Sequence, residues 1–286
     1  MTFPAYKCGM GLIVVSGATG RLGGRIARQL AAAGVEQRLI VRDRGRAPDL
    51  PGASVAVADY AEPDALRRAL DGAGTVLMVS GAETPDRVRQ HGNFVDAAVA
   101  AGVERLVYTS FQGAAPDATF TLARDHWATE EMIRASGLAF TFLRDSLYAD
   151  FLPFMVGDDG LIRGPAGSGR AAVVAQDDIA DAAAAVLRDP APHAGRTYDL
   201  TGPESLTFAE MAAIITTVTG RQVTFHDETI EEAYASRASY GAPDWQVDAW
   251  VSTYTAVAAG ELATVSPAVE ELTGHPATAL ARLLAP

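Results

Sequence analysis

The chain of 286 residues contains one lysine, Lys7, against 22 arginines. That scarcity excludes several chemistries. A P-loop kinase or ATPase sets a lysine against its phosphates, and a Schiff-base enzyme needs a lysine amine. A dehydrogenase of the Tyr-xxx-Lys type needs a lysine four residues after its tyrosine, but Tyr108 is followed by Gln112 and Tyr148 by Leu152. Cysteine is as scarce, with Cys8 alone. Neither an internal disulfide nor a cysteine metal cluster can form, which fits a reducing cytoplasm. Basic charge is outweighed, with 23 Lys and Arg against 35 Asp and Glu and a net charge of −12. That balance argues against nucleic acid and anionic membranes as partners. No apolar run reaches the roughly 20 residues that cross a bilayer, and residues 1–10 do not form a signal peptide. The five histidines (91, 126, 193, 226, 275) lie far apart, so no metal site is expected.

What remains is 49% hydrophobic residues in a strong rhythm. Short apolar runs predict strands over 12–15, 38–41, 54–58, 75–79, 105–109 and 139–143. Helical patterns over 21–33, 63–70, 86–101 and 122–135 separate them, several closed by glycine. Strands alternating with helices of this length define βαβ units. The expected class is therefore α/β, a Rossmann-like doubly wound parallel sheet. After about Ser146 the rhythm loosens. A glycine-rich loop over 157–169 with one short strand is followed by a helix over 177–188 and a strand over 197–200. A helix over 207–217 opens on a capping box of Thr207 and Glu210. A strand is expected over 223–225, and the pattern from Ile230 is helical. The expected organisation is a tail over 1–10, an NAD(P)-binding domain over 11–150 and a smaller, mostly helical lobe over 151–286. Strands of that lobe return to the sheet, and it closes over the sheet's C-terminal edge. Trp245 and Trp250 are read as core or as a roof for a substrate pocket.

Where the first strand turns into the first helix stands Ser16-Gly17-Ala18-Thr19-Gly20-Arg21-Leu22-Gly23. Glycines at this spacing let the backbone turn tightly and approach a pyrophosphate, which rests on the helix N-terminus. The second strand ends in Arg42, followed by Asp43. A guanidinium there pairs with the 2′-phosphate of NADP(H), whereas an acidic residue would serve the ribose hydroxyl of NAD(H). NADP(H) is favoured, with NAD(H) as the alternative.

The glycine motif, Val41-Arg42-Asp43, Asp59-Tyr60, Val79-Ser80-Gly81, Val107-Tyr108-Thr109-Ser110 and Leu143-Arg144 together resemble the NmrA-like atypical short-chain dehydrogenases. Glu271-Leu272-Thr273-Gly274-His275-Pro276 is similar to the tail of the type-2 NAD(P)H:quinone oxidoreductases within that group. The resemblance implies that Gly17, Thr19, Gly20, Arg21, Leu22 and Gly23 hold the pyrophosphate and Arg42 the 2′-phosphate. Asp59 and Tyr60 would border the adenine, and Ser80 and Gly81 would line the cofactor's middle. Thr109, Ser110 and Phe111, with the segment from Arg144 to Tyr148, would lie near the nicotinamide. The quinone oxidoreductases typically follow Leu-Arg with Asn-Gly-x-Tyr. Here Asp145-Ser146-Leu147-Tyr148 keeps the tyrosine and loses the asparagine.

Without a lysine to assist a nascent alkoxide, ordinary ketone reduction is disfavoured. A reduced quinone spreads its charge over a ring and needs little acid help, so orientation of the cofactor carries most of the rate. His91, His126 and Tyr148 are the candidates to hydrogen-bond such a substrate. Each also has a plain structural reading, as a helix-packing or core side chain. Two functions follow. One is a cytoplasmic NADPH-dependent reductase of a quinone or similar flat small molecule, with a homodimer left open. The other is a non-catalytic NADP(H)-binding sensor that regulates a protein partner.

Overall fold

Strand β1 (Leu12–Val15) is buried on both faces, with Ile13 and Val15 in one core and Val14 in another. That double burial is the mark of a parallel strand covered by helices on each side. The computed structural model describes residues 11–285; Lys7, Cys8 and the tail expected over 1–10 lie outside them. From β1 the chain runs through α1 (Arg21–Ala32), β2 (Gln37–Val41), β3 (Ala53–Val57), α2 (Pro63–Leu70) and β4 (Ala73–Met78). It continues through α3 (Arg87–Ala100), β5 (Arg105–Phe111), α4 (Thr121–Ala135) and β6 (Ala139–Asp145). Then follow β7 (Leu161–Gly164), β8 (Arg170–Ala171), α5 (Gln176–Arg188), β9 (Arg196–Leu200), β10 (Leu206–Thr207) and α6 (Phe208–Thr219). Last come β11 (Thr224–Asp227), α7 (Ile230–Arg237), α8 (Asp244–Ala258), α9 (Ala268–Thr273) and α10 (Leu280–Leu284).

Seven strands form one sheet in the order β3-β2-β1-β4-β5-β6-β9, every neighbouring pair parallel. The doubly wound, Rossmann-like class expected of the sequence is the class found. On one face Leu22, Ile26 and Leu30 of α1 pack with Ile179 and Val186 of α5 and Val269 of α9. On the other, Leu66 of α2, Phe94 of α3 and Ile133 of α4 cover Tyr108 and Phe142. Winding reverses between β1 and β4. The crevice beyond the C-terminal ends of those two strands is therefore the switch point where α/β sheets bind ligands.

Residues after 150 contribute in two ways. Strand β9, with α5 as its crossover, completes the sheet beside β6. The rest builds a core of its own from Leu152, Ile162, Phe208, Met211 and Tyr254, with β7 paired to β11 and β8 to β10. The capping box of Thr207 and Glu210 opens α6, and a second, of Thr229 and Glu232, opens α7. Trp250 packs with Val247 and Val251 and meets Tyr240 edge-on. Among the described residues no helix is long and apolar enough to cross a membrane.

Candidate active site

The site begins where β1 ends. Gly17 has φ +65, in the left-handed region that glycine occupies without strain. A Cβ on Gly23 would lie 2.4 Å from the Gly17 carbonyl oxygen, so only glycine lets α1 sit this close to the loop. Gly20 is the N-cap of α1; no side chain caps the helix and its first turn carries no acid. The capping boxes of α6 and α7 close those helices, whereas α1 leaves its terminal N–H groups bare, as an anion-binding helix must.

In front of these donors lies a cavity of about 260 Å3. Gly17, Thr19, Gly20, Arg21, Leu22 and Gly23 line one end of it, and Arg42, Asp59, Tyr60, Ser80 and Gly81 line the rest. Eleven of the positions expected to hold cofactor thus meet in one cleft at the switch point. At the end of β2 the two candidates, Arg42 and Asp43, are placed differently. The Asp43 Oδ1 accepts a hydrogen bond from the Gly45 N–H at 2.9 Å and caps the turn that follows. Arg42 is exposed and lines the cavity; Asp43 does not. Beneath the cleft three groups close a ring. Ser16 Oγ accepts from the Val79 N–H at 2.9 Å, the Tyr60 hydroxyl donates to the Val79 carbonyl at 2.7 Å, and the Ser16 and Tyr60 hydroxyls are 2.6 Å apart. The ring ties β1, β4 and the end of β3 together under the ligand position.

A second cavity, of about 380 Å3, adjoins the first and shares Ser80, Gly81 and Ala82 with it. Its walls are largely aromatic and apolar: Phe111, Phe120, Leu122, Leu147, Tyr148 and Phe151. Glu83, Ser110, Ser146, His126, Arg87 and Thr253 supply its further polar groups. Neither Trp245 nor Trp250 lines it. At its rim the Arg21 guanidinium lies over the rings of Phe151 and Phe154, 5.1 and 5.3 Å from their centroids.

The three candidate substrate partners fall into different places. His91 is fully buried and lines neither cavity. Its Nε2 accepts from the Gly81 N–H at 2.8 Å, and Nδ1 lies 2.8 Å from Thr129 Oγ1, which itself donates to the Asp125 carbonyl. The imidazole is therefore the neutral Nδ1–H form, and burial, assisted by Arg87, lowers its pKa to about 3. His126 reaches the second cavity. Its Nε2 is 3.0 Å from Arg87 Nη2, which can only donate, so Nδ1 carries the proton shared with the Tyr108 hydroxyl at 2.9 Å. Burial and then Arg87 hold it neutral, well below the usual histidine range. Tyr148 lines the second cavity and its hydroxyl bonds Asp145 Oδ2 at 2.9 Å. Burial, then the Asp145 carboxyl, pushes that hydroxyl well above its ordinary value.

Ser110 and Phe111 line the second cavity, but Thr109 and Arg144 line neither. Thr109 Oγ1 accepts from the Ser80 N–H at 2.9 Å. Arg144 holds the buried Glu130 with two hydrogen bonds, of 2.8 and 2.7 Å, and Ser110 Oγ donates to the same carboxylate at 2.6 Å. Arg144 is thus held in a pair that joins β6 to α4.

Two residues with no assigned role stand out. Arg87, 4% exposed, donates to the Gly81 carbonyl at 3.1 Å and to His126, and so joins the floor of one cavity to the wall of the other. A signal for it was available: with His91, Phe94, Val95 and Ala98 it falls on the buried face of α3 at helical spacing. Asp145 is 1% exposed, and burial pushes its carboxyl up to about 8.

An uncapped, glycine-built helix start, an arginine after β2 and an adjoining aromatic cleft at the switch point define a dinucleotide-binding protein with room for a second ligand. The sequence matches the NmrA-like family over residues 10–244, and the chain belongs to that family. It is 34% identical to quinone oxidoreductase 2 of Escherichia coli over 94% of this chain and 96% of the relative. The solved structure of that NADPH-dependent enzyme in complex with NADPH superposes with a TM-score of 0.87, covering 96% of this chain and 98% of that one. An NAD(P)H azoreductase of Xenophilus azovorans is 31% identical, over 94% of this chain and 96% of the relative. The negative transcriptional regulator NmrA, solved with NADP, is 16% identical with a TM-score of 0.77 over 96% of this chain and 95% of its own; it shares the fold alone.

Proposed function

We propose that the chain is an NADPH-dependent oxidoreductase that reduces a quinone or a similarly flat, delocalised small molecule. The observation that carries this is the junction of the two cavities at Ser80 to Ala82, one walled by backbone donors and Arg42, the other by aromatic rings. Bound in the first cavity, the reduced nicotinamide would supply a hydride. Gly17, Gly20 and Gly23 would bring main-chain N–H groups to the pyrophosphate, Arg42 would pair with the 2′-phosphate, and Asp59 and Tyr60 would flank the adenine. His91 fixes Gly81 from beneath, so we assign it a positioning part and not contact with substrate. Rings at 111, 120, 148 and 151 would hold a planar substrate against the nicotinamide and exclude water. His126, whose Nε2 accepts from Arg87, has no proton to give toward the cavity in its neutral form. The buried Arg87 charge stabilises an anionic, freshly reduced ring. Of the three candidates, Tyr148 is the one that both lines the cavity and carries a hydroxyl, which bonds the buried Asp145 carboxyl.

A regulator that only senses cofactor has no use for an open aromatic cavity beside the nicotinamide position, so the geometry favours the enzyme. A single cysteine suits action in the cytoplasm. Mixing the protein with NADPH and a panel of quinones, while absorbance of the reduced nicotinamide is followed, tests the reading. Tight cofactor binding with no turnover across the panel would remove it in favour of the sensor.

A further inference from the structure

Strand β6 sends alternate side chains to opposite faces. Arg144 follows Phe142 toward α4, where Glu130 holds it, and Asp145 follows Leu143 to the other face. There the Asp145 carboxyl is sealed from solvent. One of its oxygens meets the Tyr148 hydroxyl at 2.9 Å, and the other has no partner among the described residues. A buried carboxyl with so little support keeps its proton, and burial holds this one up to about 8. Tyr148 alone is a poor acid, because burial and the neighbouring carboxyl raise it. Tyr148 nevertheless lines the second cavity, so the pair links a buried carboxyl to a side chain in the cavity wall.

We infer that Asp145 is the proton store for the reduced substrate and that Tyr148 hands the proton over. The inference rests on the quinone-reductase reading. Hydride addition from NADPH to a quinone yields NADP+ and a hydroquinone anion. The Tyr148 hydroxyl gives its proton to the anionic oxygen and takes the Asp145 proton in the same step. The tyrosine ends unchanged, Asp145 ends as a carboxylate, and its proton returns through the Tyr148 hydroxyl from water in the vacated cavity before the next turnover. Ionised Asp145 accepts from the tyrosine and turns its hydrogen inward, whereas protonated Asp145 donates to it and leaves that hydrogen for the cavity. Asp145 does not touch substrate and acts through Tyr148.

Glu83, Arg87 and His126 share the wall of the second cavity with Tyr148. Arg87 of α3 and Tyr108 of β5 act on the Tyr148 hydroxyl. Arg144 with Glu130 of α4 lies across β6, Asp199 lies on β9, and Arg25 of α1 with Asp150 and Asp177 forms the ion-pair cluster at the α1–α5 face. The nearby imidazoles, His91 and His126, are held neutral far below pH 8.

The test compares wild type, D145N and Y148F turning over a 1,4-naphthoquinone with NADPH between pH 6 and 10, with thermal melts to establish folding. Wild-type kcat should fall about tenfold for each pH unit above about 8, the form a single required proton gives. D145N keeps the shape of the side chain without the proton. It should show kcat about tenfold or more lower at pH 7 with unchanged KM and no falling limb. Y148F, which leaves the carboxyl in place, should lose the same limb. A limb that survives in D145N, a wild type without one, or D145N at the wild-type rate would overturn the inference and leave the quinone-reductase reading standing. Absence of quinone turnover by wild type at every pH would remove that reading and the inference with it.

Discussion

The two cavities share three residues and are built by opposite means. The first is made of main chain: a glycine loop, a bare helix end and the tips of β1, β2 and β4. The second is made of side chains brought from α3, β5, α4, the segment after β6 and α8. Backbone geometry tolerates no substitution where a Cβ would collide, whereas a wall of rings can trade one ring for another. The difference suggests why one fold keeps its cofactor while its substrates vary.

Breaking the first cavity should have the largest effect. Gly23→Ala places a methyl against the Gly17 carbonyl, at a cost of about 1–3 kcal/mol in strain. It should weaken NADPH binding by about 10–100-fold, measured by nicotinamide fluorescence, and lower the melting temperature as well. A protein that binds NADPH normally with alanine there would mean the loop does not cradle the pyrophosphate.

Next in size is the charge at the end of β2. Arg42→Ala should raise the Kd for NADPH about 10–100-fold, as expected for loss of a charged hydrogen bond of about 1.5–3 kcal/mol, while NADH binding stays within about twofold. Equal losses for both cofactors would assign Arg42 a structural part.

The second cavity should respond more gently. Phe151→Ala removes one ring among several, and aromatic contacts of this kind are worth about 0.5–1.5 kcal/mol. The KM for a quinone should rise about 3–10-fold with NADPH affinity unchanged. A matching loss of NADPH affinity would show that the halves cannot be separated.

The smallest effect is on stability against pH. His91 has a folded pKa of about 3 against an ordinary value of 6.5. The unfolded chain therefore binds a proton that the folded chain refuses between these values. Stability carried by the neutral ring is complete above about 6.5 and declines as pH falls toward 3. Asp145 has the opposite sign: its folded value, about 8, lies above the usual carboxylate range. Its contribution is greatest below the unfolded value and declines as pH rises from about 4 to 8. Between pH 7 and 6, His91→Gln should cancel a loss of about 1 kcal/mol or less, read as a change in the pH dependence of the melting temperature. An unchanged slope would mean that His91 takes up its proton in the folded chain at the same pH as in the unfolded one.

The two cavities also differed in how far the sequence disclosed them. The glycine run from 16 to 23 and the arginine at 42 lie on contiguous segments, so their spacing, read with the strand before and the helix after, marked them as candidates. Tyr148 and His126 were reachable as residue types, but nothing in their surroundings announced that one hydroxyl bonds a buried carboxyl while one imidazole is held neutral by burial and by Arg87. The second of those facts depends on α3 and α4 packing side by side on one face of the sheet. Arg87 was overlooked although its place in the α3 heptad marked it as buried. The exchange of asparagine for Asp145 was visible; its burial was not, because strand alternation says which face a side chain takes and not what seals that face. The strand at 197–200 was expected, but its place beside β6 follows from α5 docking on α1, a contact between residues some 150 apart in sequence. The capping box at Thr229 and Glu232 was as legible as the one at Thr207 and Glu210.

Arg42 stands at the mouth of its cleft, in contact with solvent. A partner gripped there is gripped through water as much as through protein, and mobile ions compete for both charges. Over the range from 0.01 to 0.1 M salt the reach of an exposed charge shrinks from about 30 to about 10 Å. With the 2′-phosphate paired to Arg42 as proposed, discrimination between the two nicotinamide dinucleotides would be a property of the protein and its ionic medium together, sharpest in dilute buffer and blunted as salt is added.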